Sequence, residues 1–402
     1  MAKPLSATAP THVTTRSLAP DLARGFMLLL IALAHAPAFV GDWDAGPAAL
    51  NTAAKFVKSL FADNQARSMF VLLFGYGLGQ LAHRQHARGD DWTSVRKLLR
   101  RRAFWLIVIG FANTVLLVPI DIIAVYGLTL LVLAPLVRAR DSVLWWTSIL
   151  TLIPATLLLA WQSVAAQAGP VTMAEFMEPT FGAHLVASIP SWPVETAIST
   201  IIVVPGMLVG IWAARRRILD EPERHASLLR RITVIFIGVS VIGRLPAALL
   251  AAGAWTTTSA PIGWTIAIAH DLTGYAGGIG MAAAAGLVAI RVRRGRLITA
   301  LAALGQRSLT FYLLQSVVWV ALFYPFTLGL RDDMSFAATF GIAIGLWVAS
   351  VLLAEWMRRA GYRGPAEVLL RRLSYRRPAP ASVSDEPHGS PARQGENAGH
   401  RL

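Results

Sequence analysis

Apolar residues run along the chain in blocks of about twenty, and short arginine-rich stretches separate most of them. A helix rises about 1.5 Å per residue, so a block of that length spans a hydrocarbon core about 30 Å thick. The blocks predict ten helices, at roughly 24–40, 65–83, 103–118, 121–137, 142–161, 195–214, 232–251, 263–290, 306–328 and 336–356. The span at 263–290 contains "TGYAGGIG" and reads either as one tilted helix or as two shorter ones, so the count ranges from nine to eleven. The expected fold is therefore all-α, a polytopic membrane protein with no sizeable soluble domain and no internal repeat.

The polar stretches set the expected orientation. "HRQHARGDDWTSVRKLLRRR", "RAR", "RRRILDEPERHASLLRR", "RVRRGR" and "RRAGYRGPAEVLLRRLSYRR" all fall on one side of a ten-span arrangement. The intervening loops carry almost no Lys or Arg; Lys55, Lys58 and Arg331 are the exceptions. Under the positive-inside rule the basic side is cytoplasmic, which puts both termini there. The chain then divides into an N-terminal cytoplasmic segment (1–20), an N-terminal membrane region (21–160), an outer loop (161–194), a C-terminal membrane region (195–377) and a disordered tail (378–402) rich in Pro, Ser and Gly. Residues 41–63 and 162–194 both face outside as more than connectors, and the second, with "FMEPTFGAHLVASIPSWPVE", reads either as short interfacial helices or as a passive loop lying on the headgroups. The first apolar block is expected to be a retained helix rather than a cleaved leader. Its "AHA" runs directly into Pro37, and the residues before Asp21 are not strongly basic.

Composition sharpens this picture. Of 402 residues, 55% are hydrophobic and 15% charged, where a soluble chain carries about a quarter charged. The net charge of +15 would suggest nucleic acid in a soluble protein. Here the basic residues follow the spans, so no nucleic-acid partner is expected and the bilayer is. The absence of cysteine excludes disulfides, thiolate metal sites and a cysteine nucleophile. The chain has no Walker loop, HExxH, G-x-S-x-G or EF-hand spacing, so ATP-driven transport and zinc hydrolysis have no support and no metal is expected.

Ionisable groups inside apolar spans are costly and often functional. Arg24 and His35 lie eleven residues apart in the first span. They share a helix face and are separated by roughly 16 Å along the axis. An arginine at the basic end suits phosphate, and a deeper histidine suits proton transfer. Acyl-coenzyme A, with a phosphate head and a thin reactive arm, has the matching shape. The competing reading makes Arg24 a simple interfacial anchor and gives His35 a carbonyl on a neighbouring helix. Arg67 opens the second span and is placed to pair with Asp63 or to hold an anion. Asp121 opens the fourth and is either an orienting group or an N-cap. Arg244 is deep in the seventh, with Asp271 its expected partner. His270 and Asp271 adjoin in the eighth; neighbours in sequence point apart on a helix, so they are not expected to form a dyad. Asn113, Tyr126, Tyr312 and Gln315 are neutral polar companions, the last two placed to serve as glue between helices. Gly75, Gly77 and Gly79 permit close helix contact.

Several of these stretches together resemble the YeiB-like family of bacterial integral membrane proteins. The motifs are "DLARGFMLLLIALAHA", "ARSMFVLLFGYGLG", "RRRAFWLIVIGFANTVLLVPIDIIAVYGL", "LGQRSLTFYLLQSVVWVALFYPFTLGL" and "YRGPAEVLLRRLSY". They cover about 21–135 and 215–375. That family is related to transmembrane acyltransferases, among them the bacterial O-acyltransferases of cell-surface sugars. In those enzymes an Arg or Lys of the first helix is followed, after ten residues, by a functional His, and Arg24 and His35 match that spacing. Many YeiB-like members carry Asn at the position of His35, and the family usually has His at that of Asn113; either this chain lacks the family's histidine at 113, or the two positions have exchanged Asn and His and keep one imidazole in the site.

The resemblance implies a multi-pass protein of the bacterial plasma (inner) membrane. It would move an acyl group from a cytoplasmic acyl-CoA-type donor to an outer-side acceptor, a glycan or envelope lipid. His35 and Asp121 would be catalytic, and Arg24 would hold the donor. Arg67, Asn113, Tyr126, Arg244, His270, Asp271, Tyr312 and Gln315 would bind substrate. A transporter or flippase without covalent chemistry is the alternative, and a structural or regulatory role without turnover is a third. The oligomeric state is not legible in the sequence.

Overall fold

Every predicted apolar block coincides with a helix, and most of the helices run longer than the blocks. The structure, a computed structural model, describes residues 17–168, 173–292 and 295–375. The expected disordered tail at 378–402 and most of the segment 1–20 lie outside the described residues. Among the described residues there is no strand.

The helices that coincide with the blocks are α1 (Leu18–His35), α3 (Gln65–Ala87), α4 (Trp92–Leu116), α5 (Ile123–Leu133), α6 (Asp141–Ala168), α7 (Phe181–Arg215), α8 (Ala226–Ala251), α9 (Ala260–Arg291), α11 (Ser308–Phe323) and α12 (Phe336–Arg359). Three shorter ones have no block of their own: α2 (Ala48–Val57), α10 (Arg296–Gly305) and α13 (Pro365–Ser374). The glycine-rich stretch at 263–290 is one continuous helix, α9. Its small residues line the contacts with α3 and α8 rather than breaking it.

The count of membrane crossings differs from the ten expected. Six helices are long and apolar enough to cross a membrane: α1, α6, α7, α8, α9 and α12. A seventh crossing results if α10 and α11, bent by 79° at their junction, count as one broken span. The remainder fall short for identifiable reasons. The α3 helix carries Gln65, Arg67, Gln80, His83 and Arg84, and α4 opens on Arg96, Lys97 and Arg100–Arg102. The α5 helix has only 11 residues. Gln65, Arg67 and Gln80 are tolerated on α3 because α1, α7 and α9 pack around it, while His83 and Arg84 are exposed at its C-terminal end.

The region 161–194 also departs from the expectation of a loop. The α6 helix extends to Ala168, a 3-10 turn covers Met173–Phe176, and α7 begins at Phe181. Pro190 and Pro193 lie inside α7, as does Pro205. Each proline leaves the carbonyl four residues earlier without its helical donor, which long membrane helices tolerate where the surroundings compensate; Ser148 of α6 donates to the Pro205 carbonyl itself at 3.1 Å and ties the two helices together there. The loop 41–63 is mostly helical as well, made of α2 and a π-helical turn, Lys58–Ala62, that ends at Asn64 in the left-handed region (φ 54°). The three basic residues that break the charge alternation are each paired: Lys55 with Asp44 at 2.6 Å, Lys58 with Asp63 at 2.7 Å and Arg331 with Asp332 at 3.2 Å.

Candidate functional site

Most polar residues of the spans fall into two groups, and one of them surrounds a cavity of about 690 Å³. That volume lies within the usual range for small-molecule sites. The end of α1 supplies His35, the start of α3 supplies Arg67 and Phe70, and the α4–α5 connection supplies Asp121. The first half of α7 adds Trp192 and Glu195, and α11 contributes Tyr312. His35, Arg67, Asp121 and Tyr312 were all expected as site residues from the sequence. They come from three different helices and one connection.

Local structure fixes each of them differently. Asp121 precedes α5, and its Oδ2 accepts the Ala124 N–H at 2.7 Å while Oδ1 accepts from Asn113 Nδ2 at 3.2 Å. The carboxylate thus caps α5, as one sequence reading had it, and also faces the cavity. Asn113 is buried behind it on α4. Tyr312 donates to the Ile120 carbonyl at 3.2 Å and stacks on Phe70 at 6.2 Å between ring centroids. Tyr126 is packed between Phe70 and Phe74, at 5.0 and 4.4 Å. Its buried hydroxyl has no hydrogen-bond partner among the described residues. Phe70, Phe74, Tyr126 and Tyr312 form an aromatic floor under the cavity.

His35 and Arg67 are held in a different manner. Both line the cavity, and among the described residues neither side chain makes a hydrogen bond or ion pair. Lys58 and Asp63, the other charged groups near His35, are bound to each other. An imidazole and a guanidinium therefore face the cavity with their polar atoms uncommitted.

Arg24 is not part of the cavity lining. Its side chain donates to Asp21 Oδ1 at 3.4 Å and to the Leu73 carbonyl at 3.2 Å. Leu73 is three residues along α3 from Phe70, about 4.5 Å by helix geometry, so Arg24 is anchored just beyond the aromatic floor. Gln315 lies apart as well; its amide donates to the Leu28 carbonyl at 3.0 Å and ties α11 to α1.

Arg244, His270 and Asp271 form the second group, behind the cavity wall. Arg244 is fully buried, and its guanidinium donates to the carbonyls of Leu60 (3.0 Å), Ser59 and His270 (3.4 Å). Its hydrogen bonds therefore go to backbone oxygens and not to the Asp271 carboxylate expected from the sequence. His270 and Asp271 do meet, contrary to the helix-geometry argument, with Nδ1 and Oδ1 3.0 Å apart. The two side chains bend toward each other because the His270 ring is also held by the Ser59 carbonyl at 3.1 Å and Asp271 by Ser163 at 2.8 Å. Asn64 links the two groups, lining the cavity while donating to the Asp271 carbonyl at 2.9 Å. This second group locks the π-helical turn that carries Asp63 and Asn64 to the cavity.

Sequence reasoning missed Glu195 and Trp192, because both were assigned to or beside a loop. Glu195 is the only acidic residue in α7, and that isolation was the available signal. Among the described residues no cluster of His, Cys, Asp or Glu has the form of a metal site.

A family model described as "Protein of unknown function (DUF418)" matches residues 213–377, from the end of α7 through α13. The chain is 24% identical to the uncharacterized protein YxaH of Bacillus subtilis (strain 168), over 92% of this chain and 97% of that protein. It is 27% identical to the uncharacterized protein YeiB of Escherichia coli (strain K12), over 78% of this chain and 82% of that one. Apart from Tyr312, the cavity-lining residues precede the matched domain.

Proposed function

We propose, for a chain that belongs to the YeiB-like family, that it is a transmembrane acyltransferase whose outer-side acceptor occupies the cavity at His35. The reading is carried by one observation: His35 and Arg67 face a cavity of about 690 Å³ with no internal partner among the described residues. Structural histidines and arginines in a membrane are normally committed to other protein groups, as Arg244 and His270 are here. Uncommitted ones are available to a substrate.

In this reading His35 takes the proton from an acceptor hydroxyl, and the oxygen attacks the carbonyl carbon of a thioester donor. The new C–O bond forms, the C–S bond breaks, and the leaving thiolate recovers the proton from the imidazolium. Arg67 stabilises the negative charge that develops on the carbonyl oxygen. Asp121, fixed by Asn113 and the α5 N-terminus, and Glu195 bind the acceptor's hydroxyls, which suits a glycan or the headgroup of an envelope lipid. Arg24 holds the phosphates of an acyl-CoA-type donor on the far side of the aromatic floor, which must part to admit the thioester. The protein lies in the bacterial plasma membrane, and the distribution of arginine favours both termini on the cytoplasmic side.

The test is turnover. Purified protein in nanodiscs, supplied with labelled acyl-coenzyme A, is expected to release coenzyme A in the presence of envelope glycan or lipid. His35→Ala should lower that rate about a hundredfold or more. A His35→Ala protein that is folded and equally active would overturn the reading. The transporter alternative draws on the buried Arg244, His270 and Asp271 group, since ionisable clusters within membranes also mark ion paths. Proton-coupled uptake into proteoliposomes without acyl transfer would favour it.

A further inference from the structure

A second pocket, of about 460 Å³, lies at the arginine-rich end of the bundle, well away from His35. Its walls are the N-terminus of α10, with Arg296 and Thr299, and the C-terminal turn of α12, with Glu355, Arg358 and Arg359. We propose that this pocket binds the phosphate headgroup of an anionic phospholipid, whose acyl chains run along α10 and α12.

The charge is organised for an anion. Glu355 binds Arg358 through both carboxylate oxygens, at 2.7 and 3.0 Å, and Arg359 through one, at 2.7 Å. Each guanidinium has five N–H donors, so most of those on the two arginines stay available after Glu355 is satisfied. The acid acts as a brace that sets two planar forks side by side, and such forks match phosphate oxygens. It cancels one positive charge of the pair. Arg296 adds another and has no side-chain partner among the described residues. The α10 N-terminus has no side-chain cap, and its partial positive charge has the same sign.

What surrounds the pocket points to a lipid rather than a soluble phosphate. Leu352 lies one turn before Glu355 on the same face of α12 and is 66% exposed; Leu297, next to Arg296, is equally exposed, and Trp356 is 57% exposed. Large apolar side chains left open beside a cationic pocket suit an acyl chain running down from a headgroup. Tryptophan at that level is typical of the membrane interface. The site lies wholly within the matched C-terminal domain and does not depend on the acyltransferase reading.

The test is lipid retention by the full-length protein, read by native mass spectrometry after exchange into phosphatidylglycerol or phosphatidylcholine. Phosphatidylglycerol is expected to be retained preferentially. Arg296→Ala and Arg359→Ala should each weaken that retention about fivefold, the usual worth of one basic residue at an anionic surface. Both side chains are exposed, and Arg358 still holds Glu355 when Arg359 is removed. Equal retention of the two lipids by the wild type would overturn the proposal. So would an equal loss in Arg363→Ala and Arg371→Ala, which lie off the pocket and report only bulk surface charge. Displacement of the lipid by an equal concentration of coenzyme A would reassign the pocket to a soluble phosphate and overturn it as well.

Discussion

At the scale of single residues, the cavity turns on where one imidazole sits. Asp121 and His35 both face the cavity, and Asn113 is hydrogen-bonded to Asp121 from behind, so position 35 borders the chamber and position 113 lies one hydrogen bond from it on another helix. A histidine at 113 would project toward Asp121, and one at 35 projects beside Arg67. If the reaction needs one base in the chamber, the two positions are interchangeable in principle. His35→Asn is expected to abolish acyl transfer, and the double variant His35→Asn, Asn113→His to recover a measurable part of it. Both rates are read against the same purified, monodisperse protein. Recovery absent from a folded double variant would show that only position 35 reaches the reacting atoms. This part of the site was legible early, since an ionisable group in an apolar run is conspicuous. The grouping was not, because a single sequence does not state how helices rotate against one another. Arg67 and Arg244 looked alike, yet one faces the cavity and the other is spent on the carbonyls of Ser59, Leu60 and His270.

At the scale of elements, what was legible was length and apolarity, and what was lost was anything shorter than a span. The α2, α10 and α13 helices have ten residues each and no apolar block of their own. The N-terminal part of α7 was hidden by Pro190 and Pro193, which read as loop punctuation. The α10 helix matters most among these, because it crosses α1 backbone to backbone. A side chain on Gly305 would run into the Asp21 carbonyl and the Gly25 backbone, and one on Gly25 into the Leu301 carbonyl. Gly341 on α12 has no neighbour within 4 Å of where a Cβ would stand. Opposite signs follow from one substitution type. Gly305→Ala forces the α1–α10 pair apart and should cost about 1–3 kcal/mol, as overpacking does. Gly341→Ala gains helix propensity and should stabilise by about 0.5–1 kcal/mol. Thermal unfolding midpoints in one detergent give the comparison, and a Gly305→Ala protein as stable as Gly341→Ala would show that the two helices are not in backbone contact.

At the scale of the whole molecule, the helix count and the crossing count part company. Length and apolarity select six helices, or seven with the bent pair, whereas the arginine pattern calls for ten crossings. The gap is physical. A helix facing lipid must be apolar all round, but one enclosed by other helices need only be long enough. The α3 helix has 23 residues and α4 has 25, which is about 34 and 38 Å, more than a hydrocarbon core. Their polar residues are concentrated at the two ends of α3 and the beginning of α4, leaving "MFVLLFGYGLG" and "AFWLIVIGFANTVL" between them. The two schemes place one loop differently. If α3 crosses, α2 and the α3–α4 loop lie on opposite sides; if it does not, they lie on the same side. The chain has no cysteine, so a single introduced thiol reports without background. Ala49→Cys on α2 and Asp90→Cys in the α3–α4 loop are both exposed positions. In intact cells a membrane-impermeant maleimide is expected to label Ala49→Cys and to reach Asp90→Cys only after the membrane is opened. Labelling of both in intact cells would remove α3 from the crossings, and with it the inward path from Arg24 to the cavity on which a cytoplasmic donor depends.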